Sequence, residues 1–256
     1  MMPKLTAVIL TRNEAQHIAA CIESLRWADS ILVFDSYSTD ATVMLAQEAG
    51  ATVVRHAFEN YSTQRNAALD AAEDAEWVFF VDADERATPD LASEIRQVIA
   101  EREEAGWWVP RHNYIFGHRM RATGWWPDHQ LRLLHRGHAS YDPNRAVHEV
   151  AILDGPEGYL EHPLLHYNYT TFEQFRQKQQ RYTAYDASIL LEKGIRPKAY
   201  TPYTQAVRHF GWRFFTLQGW RDGGYGLLLS ALMGYYEMVK YRKLRRLLRQ
   251  QTSQAT

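Results

Sequence analysis

What most restricts the fold of this chain is the regular alternation, over its first hundred residues, of short apolar runs with amphipathic stretches. Leu5 to Leu10 is an apolar run that stops at Thr11-Arg12-Asn13-Glu14, and Ala15 to Trp27 then places Ile18, Ile22 and Leu25 on one helical stripe. The run Ile31 to Phe34 stops at Asp35, and Ser36-Tyr37-Ser38-Thr39-Asp40 reads as a turn that caps a helix lasting to Glu48, with Gly50 placed to end it. Ala51 to Arg55 is a third strand and Ser62 to Ala72 a third helix. Trp77 to Val81 is apolar throughout, as a strand covered on both faces must be. Thr88 and Pro89 then open a helix expected to run to Glu104. Strands separated by helices predict a doubly wound, mostly parallel α/β sheet.

The pattern changes after Gly106. Residues 106–153 are extended, aromatic and punctuated by turns, which predicts an antiparallel, loop-rich insertion; Gly155-Pro156-Glu157-Gly158 reads as a turn. From Thr171 onward two or three helices are expected, interrupted at 194–202 and at Asp222-Gly223-Gly224. The expected organisation is an α/β domain over 1–170, with parts 1–105 and 106–170, followed by a helical region over 171–256. A net charge of −1 gives no global field to draw in nucleic acid, so no nucleic-acid partner is expected. The single cysteine, Cys21, excludes an intramolecular disulfide and a cysteine metal cluster. No basic-then-apolar leader is read at Met1 to Leu5, and a cytoplasmic location is expected.

In an open α/β sheet, ligands collect beyond the carboxyl ends of the strands. Three strands here end in polar residues, at Thr11 to Glu14, at Asp35-Ser36 and at Asp82-Ala83-Asp84, so a carboxylate-rich crevice is predicted on that edge. The first turn has no glycine triplet and is neither a dinucleotide fingerprint nor a P-loop. Asp82 and Asp84 lie two residues apart at a strand end and so project to the same side. An Asp-x-Asp pair suits a hard divalent cation that shares its shell with phosphate oxygens; alone, it equally fits a solvated acidic turn.

The ordered segments Ala7 to Glu14, Asp35 to Asp40, Gln64-Arg65-Asn66 and Val81 to Glu85 resemble the N-terminal half of family 2 glycosyltransferases. Gly124-Trp125-Trp126-Pro127-Asp128, Leu131-Arg132-Leu133, Val147-His148-Glu149 and Leu165-His166-Tyr167 extend the resemblance to the bacterial branch that adds glucose to the inner core of lipopolysaccharide or lipooligosaccharide. The resemblance implies a GT-A fold, a UDP-sugar donor, Mg²⁺ or Mn²⁺ as cofactor, and inversion at the anomeric carbon, with 1–170 as the catalytic domain, its 1–105 part binding the nucleotide sugar and its 106–170 part forming the acceptor side. It puts Thr11, Arg12 and Glu14 around the nucleotide, Asp35 on the base or ribose, and Arg65 on the base or diphosphate. It assigns Asp82, Ala83 and Asp84 to the nucleotide sugar and metal, and His166 as the late histidine that completes the metal or diphosphate site. Single displacement needs a carboxylate to take the acceptor's proton; Glu149 is the first choice for that base and Asp128 its rival. Trp107, Trp108, Trp125 and Trp126 divide between sugar stacking and core.

Phe210, Trp212, Phe214, Phe215 and Trp220 share a helical stretch with Arg208, Arg213 and Arg221. The stretch Tyr225 to Tyr236 is apolar but too short to span a bilayer. Lys240, Arg242, Lys243, Arg245, Arg246 and Arg249 then alternate with leucines. This arrangement fits either a helix on an anionic leaflet or a helix packed on the catalytic domain with a solvated basic face. With a lipid-linked glycan acceptor, the first reading predicts a peripheral protein on the inner face of the plasma membrane. Two other classes compete: a nucleotidyltransferase, which normally carries a glycine-rich basic loop after its first strand, and a degenerate, non-catalytic sugar-binding relative. A glycosyltransferase with a different acceptor is the nearest alternative.

Overall fold

The computed structural model describes residues 2–143 and 151–254. The chain forms two compact units, one from 1–112 with 128–166 and the other from 113–127 with 167–256.

The first unit holds the expected α/β half. Strands β1 (Leu5–Thr11), β2 (Ser30–Asp35), β3 (Thr52–Arg55) and β4 (Trp77–Asp82) are parallel, in the order β3-β2-β1-β4. Helices α1 (Ile18–Ser24), α2 (Thr42–Glu48) and α3 (Tyr61–Ala71) connect them. The short strand β5 (Glu85–Ala87) and helix α4 (Pro89–Glu101) follow. Strand β6 (Gly106–Ile115) leads out of this unit and on to β7 (His118–Arg119). Strand β8 (Asp128–His135) pairs antiparallel with both β4 and β6. A separate two-stranded ladder joins β9 (Ala139–Ser140) to β10 (Ile152–Leu153). The main sheet is completed by β11 (Glu157–Tyr159), parallel to β6, and β12 (Leu164–Tyr169), antiparallel to β5. The expected GT-A-type sheet with its antiparallel insertion is present.

Side chains alternate across this sheet with period 2. Ala7, Ile9, Phe79 and Val81 enter one core with Ile18, Cys21 and Ile22 of α1 and Leu91 and Ile95 of α4. Val8, Val78 and Phe80 enter the other, with Ala68 and Leu69 of α3. Burial on both faces is why β4 reads as a continuous apolar run.

Three expectations differ from the structure. Helix α1 begins at Ile18, not Ala15, because the preceding loop is bound to its neighbour: Glu14 N donates to Thr42 Oγ1 at 2.8 Å and Ala15 N to Asp40 Oδ2 at 3.2 Å. Helix α4 is capped by Thr88 Oγ1, which accepts from Leu91 N at 3.2 Å, but it stops at Glu101 where Arg102 turns extended. The segment Glu157–Tyr159 is a strand and not a turn. Gly158 has no side chain to stand off the Trp107 ring, so β11 can lie against β6; a Cβ there would come within 2.3 Å of a ring carbon.

The second unit is helical. Thr171 caps α5 (Phe172–Glu192) in a capping box with Gln174. Helix α6 (Thr201–Gly211) runs into a π-helical turn (Trp212–Thr216), then a 3-10 turn (Gly219–Asp222), then α7 (Gly223–Gln254). Ile115, Met120, Tyr169, Phe175, Leu229 and Tyr236 form its core. Part of the basic end of α7 is occupied inside this unit, while Arg246 and Arg249 are exposed. Leu244 is fully buried, Lys243 Nζ donates to Gln180 O and Thr183 Oγ1, Arg242 reaches the Tyr203 hydroxyl at 3.2 Å, and Lys240 pairs with Glu237 at 2.8 Å.

Candidate active site

The carboxyl ends of β1, β2 and β4 bring the polar strand ends together. Thr11 lies opposite Asp35 in the β1–β2 ladder, and its buried hydroxyl has no partner among the described residues. Asp35 is fully buried; one oxygen accepts from Ser38 N at 2.9 Å, the other from the Ser38 hydroxyl. This is an Asx-type turn, and it fixes the carboxylate at the strand end. Asn13 takes a positive φ of 57° and stitches the two loops, donating from its N to Ser38 Oγ and accepting from Thr39 N, both at 2.8 Å. Arg12 is exposed and Glu14 half-buried at the rim.

The Gln64-Arg65-Asn66 segment sits on α3. Gln64 is buried between Ser36 Oγ and His56. Asn66 grips the backbone of Tyr141 in both directions at 2.8 Å. These two hold Arg65 so that its guanidinium lies over Phe80 at 5.1 Å and Tyr141 at 5.7 Å, a cation–π seat.

At the end of β4 lies a charged cluster built around the buried Glu85 and Arg132. Glu85 is fully buried; one carboxylate oxygen accepts from Asp82 N at 2.9 Å, the other from Arg111 and from Arg132, each at 3.1 Å. Arg132, 4% exposed at its side chain, also binds both oxygens of Asp82. Arg111 continues the chain to Asp128, whose Oδ2 accepts from Nη2 at 2.6 Å and from Nε at 3.0 Å, while Gln130 donates to Oδ1 at 3.0 Å. Burial works to raise the Asp82 pKa, but Arg132 and then Arg65 outweigh it and hold the carboxyl well below the ordinary range. Asp82 is therefore a charged, oriented group at neutral pH, with a side chain still about a third open to solvent.

Asp84 points elsewhere, so the expected same-side projection of Asp82 and Asp84 does not hold: β4 ends at Asp82, and Asp84 lies in the turn before β5, where the two-residue strand period no longer applies. Its Oδ2 lies 3.5 Å from Nε2 of His166, and both side chains are largely shielded. The pairing follows from the β5–β12 ladder, in which His166 sits opposite Glu85, next to Asp84 in the chain. A carboxylate and an imidazole this close could supply two ligands of a divalent-cation shell, which substrate phosphates and water would complete. Among the described residues no group of three or more His, Cys, Asp or Glu is placed to hold a metal unaided. The donor set fits a metal shared with a diphosphate. Ala83 is buried, and its carbonyl accepts from Arg86 at 2.8 Å, which sets the turn between the two aspartates.

Other candidates separate. Glu149, His148 and Val147 lie outside the described residues. His162 binds Glu94 of α4 at 3.0 Å, away from this cluster. Trp107 is core, Trp108 stacks on Tyr159, and Trp125 packs edge-on against Tyr169 in the second unit. The sequence reading missed Glu85, Arg111 and Arg132 as a unit. Arg132 carried a signal, a cation inside the apolar run Leu131 to Leu134, since a buried guanidinium needs a carboxylate partner.

Comparison with known proteins bears on the family and the fold. The model of glycosyl transferase family 2 matches residues 6–152. A lipopolysaccharide core biosynthesis glycosyltransferase, LpsC of Rhizobium meliloti, is 30% identical over 254 residues, covering 95% of this chain and 93% of that protein. An uncharacterized glycosyltransferase of Rickettsia bellii is 27% identical over 256 residues, covering 95% and 87%. Among solved structures, glucosyl-3-phosphoglycerate synthase from Mycobacterium tuberculosis in complex with phosphoglyceric acid superposes with a TM-score of 0.50 at 18% identity, over 77% of this chain and 82% of that one.

Proposed function

The chain belongs to glycosyltransferase family 2, and we propose that it is a metal-dependent, inverting hexosyltransferase that moves a sugar, glucose being the expected one, from a UDP-sugar to a lipid-linked glycan such as the lipopolysaccharide inner core. The observation that carries the reading is the Asp84–His166 pair, two residues along the chain from the charged Asp82 that ends β4. The likeness to LpsC supports the acceptor class.

Each residue then has a task. Thr11, Arg12, Glu14 and Asp35 border the nucleotide, and the unpartnered Thr11 hydroxyl offers a hydrogen bond there. Arg65, seated on two aromatic rings, faces the departing diphosphate. Asp82, held by Arg132, accepts from a hydroxyl of the donor; Ala83 sets the turn. Mg²⁺ or Mn²⁺ would be held by Asp84 and His166, with Asp82 alongside, and would neutralise charge on the leaving diphosphate. The acceptor's proton goes to Glu149. Asp128 is the rival base, but Arg111 occupies one of its oxygens with two guanidinium hydrogen bonds and Gln130 the other, which suits it better to holding Arg111 and the acceptor in place. The enzyme works as a peripheral protein on the cytoplasmic face of an anionic membrane; no helix among the described residues is long and apolar enough to cross one.

The test is a donor screen with purified protein. UDP-glucose, UDP-galactose and UDP-N-acetylglucosamine are each incubated with Mg²⁺ or Mn²⁺, with and without lipid-linked acceptor, and release of UDP is followed. Metal-dependent turnover of one donor is expected. No UDP release with any donor or metal would sink the reading in favour of a non-catalytic relative.

A further inference from the structure

Within the second unit, the connection from α6 to α7 exposes large apolar side chains that a soluble surface does not need. Val207 is 72% exposed, Phe215 66%, Trp220 58%, Leu227 51%, Leu228 47% and Trp212 45%. They belong to one helical hairpin: Gly234 of α7 faces Ala206 and Phe210 of α6, and Gly226 fits directly on Gly219, where a Cβ would meet the Gly219 carbonyl oxygen at 1.7 Å. The buried faces of the two helices are thus used on each other, and the apolar residues above lie on what remains. Exposed apolar patches of this kind mark interaction surfaces.

The charges around the patch decide what it meets. Between residues 193 and 236 the chain has six Lys or Arg and one acid, Asp222. The Asp222 carboxylate is fully buried, accepting from Arg121 N at 2.8 Å and Thr123 Oγ1 at 3.1 Å, so it offers nothing to the surface. Arg208 and Arg221 are exposed among the aromatics. A second copy docked by twofold symmetry would set this cationic patch against itself. An anionic bilayer matches it: arginines meet headgroups, and Trp and Phe enter the interfacial zone that they favour.

We infer that the α6–α7 hairpin, through Trp212, Phe215, Trp220, Leu227 and Leu228, is the surface by which this protein inserts shallowly into an anionic bilayer, and that the basic end of α7 is not. The inference rests on the lipid-linked acceptor reading for its purpose only; its geometry and its test are independent of catalysis.

The test uses the full chain and sedimentation with vesicles of phosphatidylcholine, with or without phosphatidylglycerol, containing no acceptor and no nucleotide sugar. The wild type binds the anionic vesicles, and lipids brominated in the acyl chain quench a component of its tryptophan emission that Trp220→Ser removes. Phe215→Ser combined with Leu228→Ser weakens binding by about tenfold or more, since burying one such side chain is worth about one to two decades in a binding constant. Arg246→Gln with Arg249→Gln changes it by about twofold at most, as peripheral surface charges do. All variants keep the wild-type melting temperature. Absence of wild-type binding, unchanged binding of the Phe215/Leu228 variant, or a larger loss from the Arg246/Arg249 variant overturns the proposal. So does a wild-type dimer in sedimentation velocity that the Phe215/Leu228 variant dissolves. None of these results bears on the donor screen, and a failed screen leaves vesicle binding as it was.

Discussion

Replacing Arg132 by Met keeps much of the side chain's bulk and removes the cation that serves Asp82 and Glu85 together. Removing one partner of a buried ion pair costs about 3–5 kcal/mol. Here the lower end applies, because Glu85 keeps Arg111 at 3.1 Å and the amide of Asp82 at 2.9 Å, and Asp82 can still reach water. A loss of about 3 kcal/mol lowers the melting temperature of a domain of this size by roughly 6–12 °C. The deficit also depends on pH in a definite sense. In the wild type the Asp82 carboxyl is held below its unfolded value, so the folded state binds fewer protons there. That stabilisation is complete above the unfolded pKa of about 3.9 and is lost as pH falls through the folded value. Without Arg132 the Asp82 carboxyl loses the main cation that holds it low, so the folded variant takes up a proton there at a higher pH than the folded wild type does. The deficit should therefore be full at neutral pH and shrink as pH falls towards and below about 3.9, where the wild type alone keeps Asp82 charged. Thermal unfolding followed by near-UV circular dichroism across that range measures both effects. A melting temperature within about 3 °C of wild type, or a deficit that does not change with pH, would refute the claim that Arg132 stabilises these two carboxylates.

Three further outcomes are expected. Asp84→Ala and His166→Ala should each abolish transfer with the fold intact by circular dichroism, and EDTA should weaken donor binding by the wild type but not by Asp84→Ala; full activity of Asp84→Ala in chelator counts against a metal held there. Glu149→Gln should cut turnover by about 10²–10⁴-fold with donor binding nearly unchanged, while Asp128→Asn should mainly raise the acceptor KM; the opposite pattern in steady-state kinetics reverses the two assignments. Gly158→Ala should destabilise the protein by about 1–3 kcal/mol in denaturant melts, because the added methyl has nowhere to go against the buried Trp107 ring.

The parallel half of the sheet was legible because its signals are local. A run such as Val78 to Val81 announces a strand covered twice, and Thr88-Pro89 announces a helix start whatever lies far away. The polar strand ends were legible for the same reason. The contacts that organise the site are not local. Nothing near Arg132 in the chain says that its carboxylates are Asp82 and Glu85, and nothing near Gly158 says that its neighbour is Trp107 rather than solvent. Asn113 to Pro127 join the helices of the second unit without any change of composition at either end. The basic face of α7 shows the same limit: its charge pattern is readable, but the capture of Lys243 by α5 is a tertiary event.

The three-residue ladder between β5 and β12 has a consequence for how such an enzyme can diversify. Because Glu85 and His166 are opposed by backbone register, the spacing of Asp84 and His166 is indifferent to the length of everything between them. Loops after α4 or around β7 can lengthen, shorten or be exchanged for those of another enzyme, and the carboxylate and imidazole return to the same separation. What the ladder does not forgive is a slip by one residue, which would turn the imidazole to the opposite face of the sheet. Chimeras that swap segments between these two strands should therefore keep Glu85–Ala87 and Leu164–His166 from the same parent and can take the rest from another.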